Sequence, residues 1–161
     1  MKQIFLQIQS RLAAQVPGLK HIDKNWGQLN IEQPPVKFPC CLLDVERVEY
    51  SQLVGRSRMA EADIALVVAD HHTVRSSGHA PARNDAYAIL DILHSVMECL
   101  EGWRVPGTTQ GLGRSRLEKS FSDSSYDVYT LHYTAAWVEA ETEEGVTLTA
   151  TPPIRLLTDE R

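Results

Sequence analysis

Hydrophobic and polar positions alternate along this chain in two rhythms, one helical and one extended. The first block is helical. Ile4, Phe5, Ile8, Leu12 and Val16 fall within one arc of a 3.6-residue helix, with Lys2, Gln3, Gln9 and Ser10 elsewhere. Pro17-Gly18 stops the helix. A short polar strand or hairpin is expected around His21 to Ile31, after which Pro34, Pro35 and Pro39 impose an extended connector. The passage CCLLDVERVEY then begins as a continuous apolar run whose phase moves from Leu43 and Val45 to Val48 and Tyr50. Such a change of parity predicts a β-bulge or the end of burial. SQLVGRSR is a turn. A cleaner strand follows, with Ala62, Ile64, Leu66 and Val68 on one face and Glu61 and Asp63 on the other. Both faces are apolar by Val67, as in a central strand covered on both sides.

A polar loop of about 15 residues, long for a connection, leads to the strongest helical pattern. From Asn84 to Leu100, residues Ala86, Ile89, Leu90, Leu93, Val96, Met97 and Leu100 form one stripe centred on Leu93. Asn84 is placed as N-cap, Asp85 suits the positive helix end, and Gly102 is the C′ residue, with Trp103 placed to pack back on Met97. A weaker strand is marked by Leu117 and Phe121. The polar SDSSYD turn joins it to DVYTLHYTAAWVE, where Tyr129, Leu131, Tyr133, Ala135 and Trp137 alternate with Thr130, His132 and Thr134. The order of elements predicts an α+β domain, a mainly antiparallel sheet packed by two main helices, over residues 1–140. The acidic, then Thr- and Pro-rich stretch 141–161 is expected to leave that domain as a C-terminal extension.

Composition narrows the function classes. At 161 residues the chain is expected to form one domain, long enough to need neither metal nor disulfide for stability. The net charge of -5 argues against a dedicated nucleic-acid binder. Cys40, Cys41 and Cys99 have no framework spacing, and neighbours in a strand face opposite ways, so they are expected as free thiols of a cytoplasmic protein. MKQIFLQIQSRLAAQV is too polar for a signal peptide, and no apolar run approaches the length of a membrane span.

One triplet raises an enzymatic alternative. Asp70-His71-His72 ends an apolar strand, as in the Asp-His-His phosphoesterases, where such residues hold Mn²⁺ or a similar ion. Those enzymes need further carboxylates from an upstream Asp-x-Asp. Here Asp23, Asp44 and Asp63 form no such motif, and His79 or Asp85 would have to serve as unexpected ligands. The expectation is therefore a solvated strand end, with no metal, no cofactor and no catalytic residue. GLGRSR lacks phosphate-loop spacing, Ser124, Ser125 and His132 lack a nucleophile elbow, and His94 borders the apolar stripe as a packing residue. Arg56, Arg58, Arg75 and Arg83 lie in polar loops, as a solvated rim or subunit contact.

The whole pattern resembles a known family. The residues that carry the resemblance are the amphipathic first helix ending in Pro-Gly, QPPVKFPCCLLDV, YSQLVGRSRMAEADIALVVAD, the helix ARNDAYAILDILHSVMECLEGW and the closing strand DVYTLHYTAAWVE. Together they are similar to the tail terminator and tail completion proteins (minor tail proteins) of tailed bacteriophages and prophages, over roughly residues 1–140. The likeness rests on order, length and local style, without a diagnostic motif. It implies a non-enzymatic virion protein, assembled in the host bacterial cytoplasm. Such a protein forms a homo-hexameric ring on the tail tube protein, ends tube growth and meets the head-tail connector or stopper protein. Genomic DNA passes through without specific binding, and no membrane is involved. On this reading Arg56, Arg58, Arg75 and Arg83 face neighbouring subunits or the tube, and Glu139, Glu141, Glu143 and Glu144 form an acidic bore or exposed face. Another neck protein, or a truncated Asp-His-His hydrolase, is the alternative.

Overall fold

The computed structural model describes residues 1–71, 84–120 and 126–139. Helix α1 (Lys2–Gln15) buries Ile4, Ile8 and Leu12 on one stripe, and Val16 continues it. Strand β1 (His21–Lys24) is followed by a 3-10 turn (Gln28–Asn30), β2 (Cys40–Gln52) and β3 (Arg58–His71). A 3-10 turn (Asp85–Tyr87) leads into α2 (Ala88–Leu100), then β4 (Gly113–Ser120) and β5 (Tyr126–Glu139). The five strands form one sheet in the order β1-β2-β3-β5-β4. Every pair is antiparallel except β1 with β2. This is the expected α+β class, in one domain with two main helices. Among the described residues no helix is long and apolar enough to cross a membrane.

Of the strand or hairpin expected at His21 to Ile31, the structure has the strand, β1, and it pairs with β2. His21 pairs with Cys40 and Lys24 with Leu43 in parallel. Parallel neighbours require a long crossover rather than a tight turn. The proline-rich connector is that crossover, and it contains a cis Phe38-Pro39 bond. Gln28 anchors it from inside. The buried side chain accepts from the Trp26 backbone N–H at 2.8 Å and donates to the Lys24 carbonyl at 3.0 Å. Trp26 is left exposed.

The crossover also explains why both faces of β3 turn apolar near its end. On one face Cys41, Leu43, Ile64, Leu66, Val68, Leu131, Tyr133 and Trp137 pack beneath the two helices. On the other, Cys40, Leu42 and Ala69 pack with Val67 and Val128 under Leu29, Val36 and Phe38 of the crossover. Among the described residues, the crossover covers that end of the second face. The phase change expected in β2 is present as a register shift between Val45 and Arg47, which leaves Glu46 as the extra residue.

Helix α2 differs from its sequence reading in two respects. Asn84 makes no side-chain cap, and the chain enters through the 3-10 turn. The buried arc holds Ile89, Leu93, Val96, Cys99 and Leu100, while Leu90 is 43% exposed. Its centre is rotated from Leu93 toward Val96 and Cys99. The cause is α1. Arg11 donates from Nε to the Cys99 carbonyl at 2.7 Å, and its guanidinium lies 4.5 Å over the Trp103 ring. The Cys99 side of α2 thus meets α1, and Trp103 has an Arg11 partner. His94, expected to pack, points to solvent and pairs with Glu98 at 3.3 Å. Gly102 does adopt the left-handed conformation, at φ +68°.

Tyr133 is fully buried, yet its hydroxyl has no hydrogen-bond partner among the described residues. Burial pushes its pKa up to about 12. An orphaned hydroxyl keeps its desolvation penalty without compensation. Tyr133→Phe should therefore leave stability unchanged or raise it by about 1 kcal/mol, read as an equal or higher urea midpoint. A clear loss would show that the hydroxyl is satisfied.

Candidate functional site

The Asp-His pair at the end of β3 does not assemble a ligand cluster. Consecutive strand residues point to opposite faces, so Asp70 and His71 diverge. Asp70 accepts from the His71 backbone N–H at 2.8 Å through its Oδ1. The His71 ring lies 4.2 Å from the Phe38 ring centroid and 5.1 Å from that of Tyr126, and the Phe38 and Tyr126 rings stack at 4.9 Å. The histidine belongs to an aromatic group that ties the crossover to the sheet. Among the described residues no three His, Cys, Asp or Glu side chains are grouped to hold a metal. Asp85 lies in the 3-10 turn before α2. His72, His79, Ser124 and Ser125 fall outside the described residues.

The thiols are poor nucleophiles. Burial pushes the Cys40 thiol up to about 11 and raises those of Cys41 and Cys99 as well. A thiol held protonated neither attacks nor ligates readily. GLGRSR does not open a helix; it runs into the edge strand β4.

The densest polar cluster is one that the sequence pattern did not isolate. His132, on the face of β5 turned away from the helices, is 5% exposed. Its Nδ1 lies 3.0 Å from Glu46 Oε2. Its Nε2 lies 3.3 Å from both Glu118 Oε1 and the Arg116 Nη2. Arg116 also pairs with Glu118 at 3.2 Å. Four strands contribute. Glu46 is the bulged residue of β2, and it reaches across Ala65, the β3 register partner of His132. Arg116 and Glu118 stand on β4, next to a second register shift between Arg114 and Arg116. A larger residue at position 65 would separate Glu46 from the ring. Both ring nitrogens are engaged, so neither is available to a metal or a substrate. The cluster clamps the open sheet face.

The remaining feature is the distal end of the sheet. Strand β2 is buried from Cys40 to Leu43 and mostly exposed from Glu46 onward. Its outer half continues into the loop of residues 53–57, closed by a 3.0 Å bond from the Leu53 N–H to the Ser57 carbonyl, with Gly55 at φ +69°. Polarity here was expected. The structure instead exposes Tyr50 by 52%, Leu53 by 40% and Val54 by 93%. Arg56 and Arg58 are exposed on the same end. Arg58 is the register partner of Glu139, whose carboxylate accepts from Trp137 Nε1 at 2.9 Å. The basic and acidic sets expected on separate surfaces thus meet at these two positions. Arg75, Arg83, Glu141, Glu143, Glu144 and the whole stretch 141–161 lie outside the described residues.

No protein-family model matches this chain, and no curated protein matches it.

Among the described residues, concavities lie on both faces of the sheet. One, of about 550 Å³, lies between the start of α1 and the bulge of β2, lined chiefly by Met1, Phe5, Leu6, Leu43 and Val45. The other, of about 540 Å³, lies on the opposite face between the turn at Asn25–Glu32 and Ser120, Tyr126 and Thr130. Neither holds a grouped set of acids, bases or nucleophiles. The sequence signal that could have revealed the apolar tip was plain: Leu53-Val54 standing together in a turn before Gly55.

Proposed function

We propose that this protein is a non-enzymatic assembly subunit of a phage virion. In this reading it forms a homo-oligomeric ring, with six copies expected, that caps the head-proximal end of the tail tube and joins it to the head connector. The observation that carries the reading is the distal end of the sheet, where Tyr50, Leu53 and Val54 are exposed together beside Arg56 and Arg58. Clustered apolar side chains rimmed by charge are the mark of a protein contact surface. The resemblance in element order to tail terminators supplies the particular assembly. The net charge of -5 suits a conduit for a polyanion, since a bore rich in Lys and Arg would bind phosphates and retain DNA.

The test is the full chain mixed with tail tubes and imaged by cryo-electron microscopy. A closed ring seated on one end of the tube, with elongation arrested, is the expected result. A protein that leaves tube length unchanged and is found nowhere on the tail axis would overturn the reading.

A further inference from the structure

We propose that Nε2 of His132 is a proton-operated selector: it holds Arg116 when bare and Glu118 when protonated, and so decides which of the two the edge strand β4 turns outward. The selector works within a single copy and does not depend on the ring. Nε2 lies 3.3 Å from the Arg116 Nη2 and 3.3 Å from Glu118 Oε1. A guanidinium only donates, and an ionised carboxylate only accepts. A bare Nε2 therefore suits Arg116 and sets its lone pair against the Glu118 oxygen. A protonated Nε2 suits Glu118 and sets its N–H against those of Arg116. In either state one contact is favourable and the other adverse.

The second ring nitrogen cannot take over the exchange. Nδ1 lies 3.0 Å from Glu46 Oε2, an acceptor, so it keeps its proton in both states and fixes the tautomer. The change of charge falls on Nε2. Among the described residues, the charged groups in the register rows of Thr130, His132 and Thr134 are Asp44, Glu46 and Arg47 on β2, Asp63 on β3, and Arg116 and Glu118 on β4. Arg47 is paired with Asp63 at 3.1 Å, and Asp44 accepts from the Val45 N–H at 2.8 Å. Glu46, Arg116 and Glu118 are the ones against the ring.

The two partners on β4 have room to move. Their side chains are 59% and 47% exposed, against 7% for the ring between them. With Nε2 bare, Arg116 bridges the ring and Glu118. With Nε2 protonated, Glu118 closes on the new N–H, the buried cation is held between two carboxylates, and Arg116 swings into solvent. Strand β4 is the last of the sheet. Acid thus adds one cation inside the cluster and uncovers a second at the sheet edge.

The experiment is long-range proton–nitrogen NMR of the isotope-labelled full chain between about pH 5 and 8, the interval in which histidine ordinarily titrates. The His132 ring is assigned through its own backbone signals. Nδ1 should stay protonated throughout. Nε2 should gain a proton as the pH falls, and the Arg116 Nε–H should lose its protection from exchange over the same interval. Glu118→Gln removes the charge that favours the acid state, so the midpoint should move down by about one pH unit. Arg116→Met removes the donor that favours the neutral state, so it should move up by about as much. A ring that merely fills space would not give opposite movements. The wild-type titration alone decides whether Nε2 is the titrating atom. An Nε2 that keeps one protonation state across the interval would overturn the selector, and so would midpoints that move the same way, or not at all, in the two variants.

Discussion

Trp137→Ala is expected to destabilise the protein by about 3–5 kcal/mol. Trp137 is 4% exposed and faces the helices from β5. The sheet around it is built from small side chains. Its register partner is Ala60, and Ala62 and Ala135 are also fully buried. Alanines on a rigid sheet cannot move to fill the space an indole leaves, so the cavity term adds to the transfer term. Against a total stability of about 5–15 kcal/mol for a domain of this kind, the loss is a large fraction. Urea unfolding followed by circular dichroism checks it. Trp137→Phe separates packing from hydrogen bonding. It keeps most of the buried area and loses only the Nε1 bond to Glu139, so its cost should be about 1–2 kcal/mol. Equal midpoints for Trp137→Ala and wild type would mean that the indole packs elsewhere.

Gly111→Ala is expected to cost about 3 kcal/mol or more, although Gly111 lies in a loop and the change adds one methyl group. A Cβ at this position would sit 2.3 Å from the Gly102 carbonyl oxygen and 2.7 Å from its carbon. Both are backbone atoms, and they cannot withdraw cheaply. The Gly102 N–H donates to the Leu112 carbonyl at 2.8 Å, and the Leu112 N–H donates to the Trp103 carbonyl at 3.0 Å. This pinch returns the chain from α2 into β4. Gly102→Ala is the informative comparison. It meets nothing within 4 Å, and its cost is that of the left-handed backbone alone, about 1–2 kcal/mol. A thermal melt in which the two variants were equally mild would remove the clash from the account.

The two sites differ in how far the sequence announced them. Trp137 was legible because period-2 alternation through Tyr129, Leu131, Tyr133 and Ala135 fixes its face. The same arithmetic located β3 and the bulge in β2, where the apolar phase changes between Val45 and Val48. Position 111 was illegible, because a close backbone approach leaves no periodic trace. The short strand β1 was anticipated but its parallel pairing was not, because His21, Ile22, Asp23 and Lys24 carry no pairing information and the partner strand lies beyond the crossover. The buried arc of α2 differs from the reading because its Cys99 side meets α1, a contact on another helix that the periodicity of α2 does not record. His132 read as the polar side of a strand. Only the tertiary register brings Glu46 and Glu118 to it. For the candidate surface, Arg56 was legible as an exposed turn charge, whereas Arg58, read in the same loop, is exposed but opens strand β3. The apolar pair Leu53-Val54 beside them was passed over as part of a polar turn.

The order of strands in the sheet has a consequence in time. Strands β2 and β3 are joined by a five-residue loop and can pair as soon as both have been synthesised. The other edge of β3, apolar and central in the finished sheet, waits for β5, since His71 pairs with Tyr126 and Arg58 with Glu139. Pairings of such long sequence separation form slowly. A nascent chain halted before β5 emerges would present the ribosome's surroundings with an unmated apolar strand edge, a template for aggregation. Chaperone demand during translation would then be concentrated in the interval between the synthesis of His71 and that of Glu139, and would fall once β5 is added.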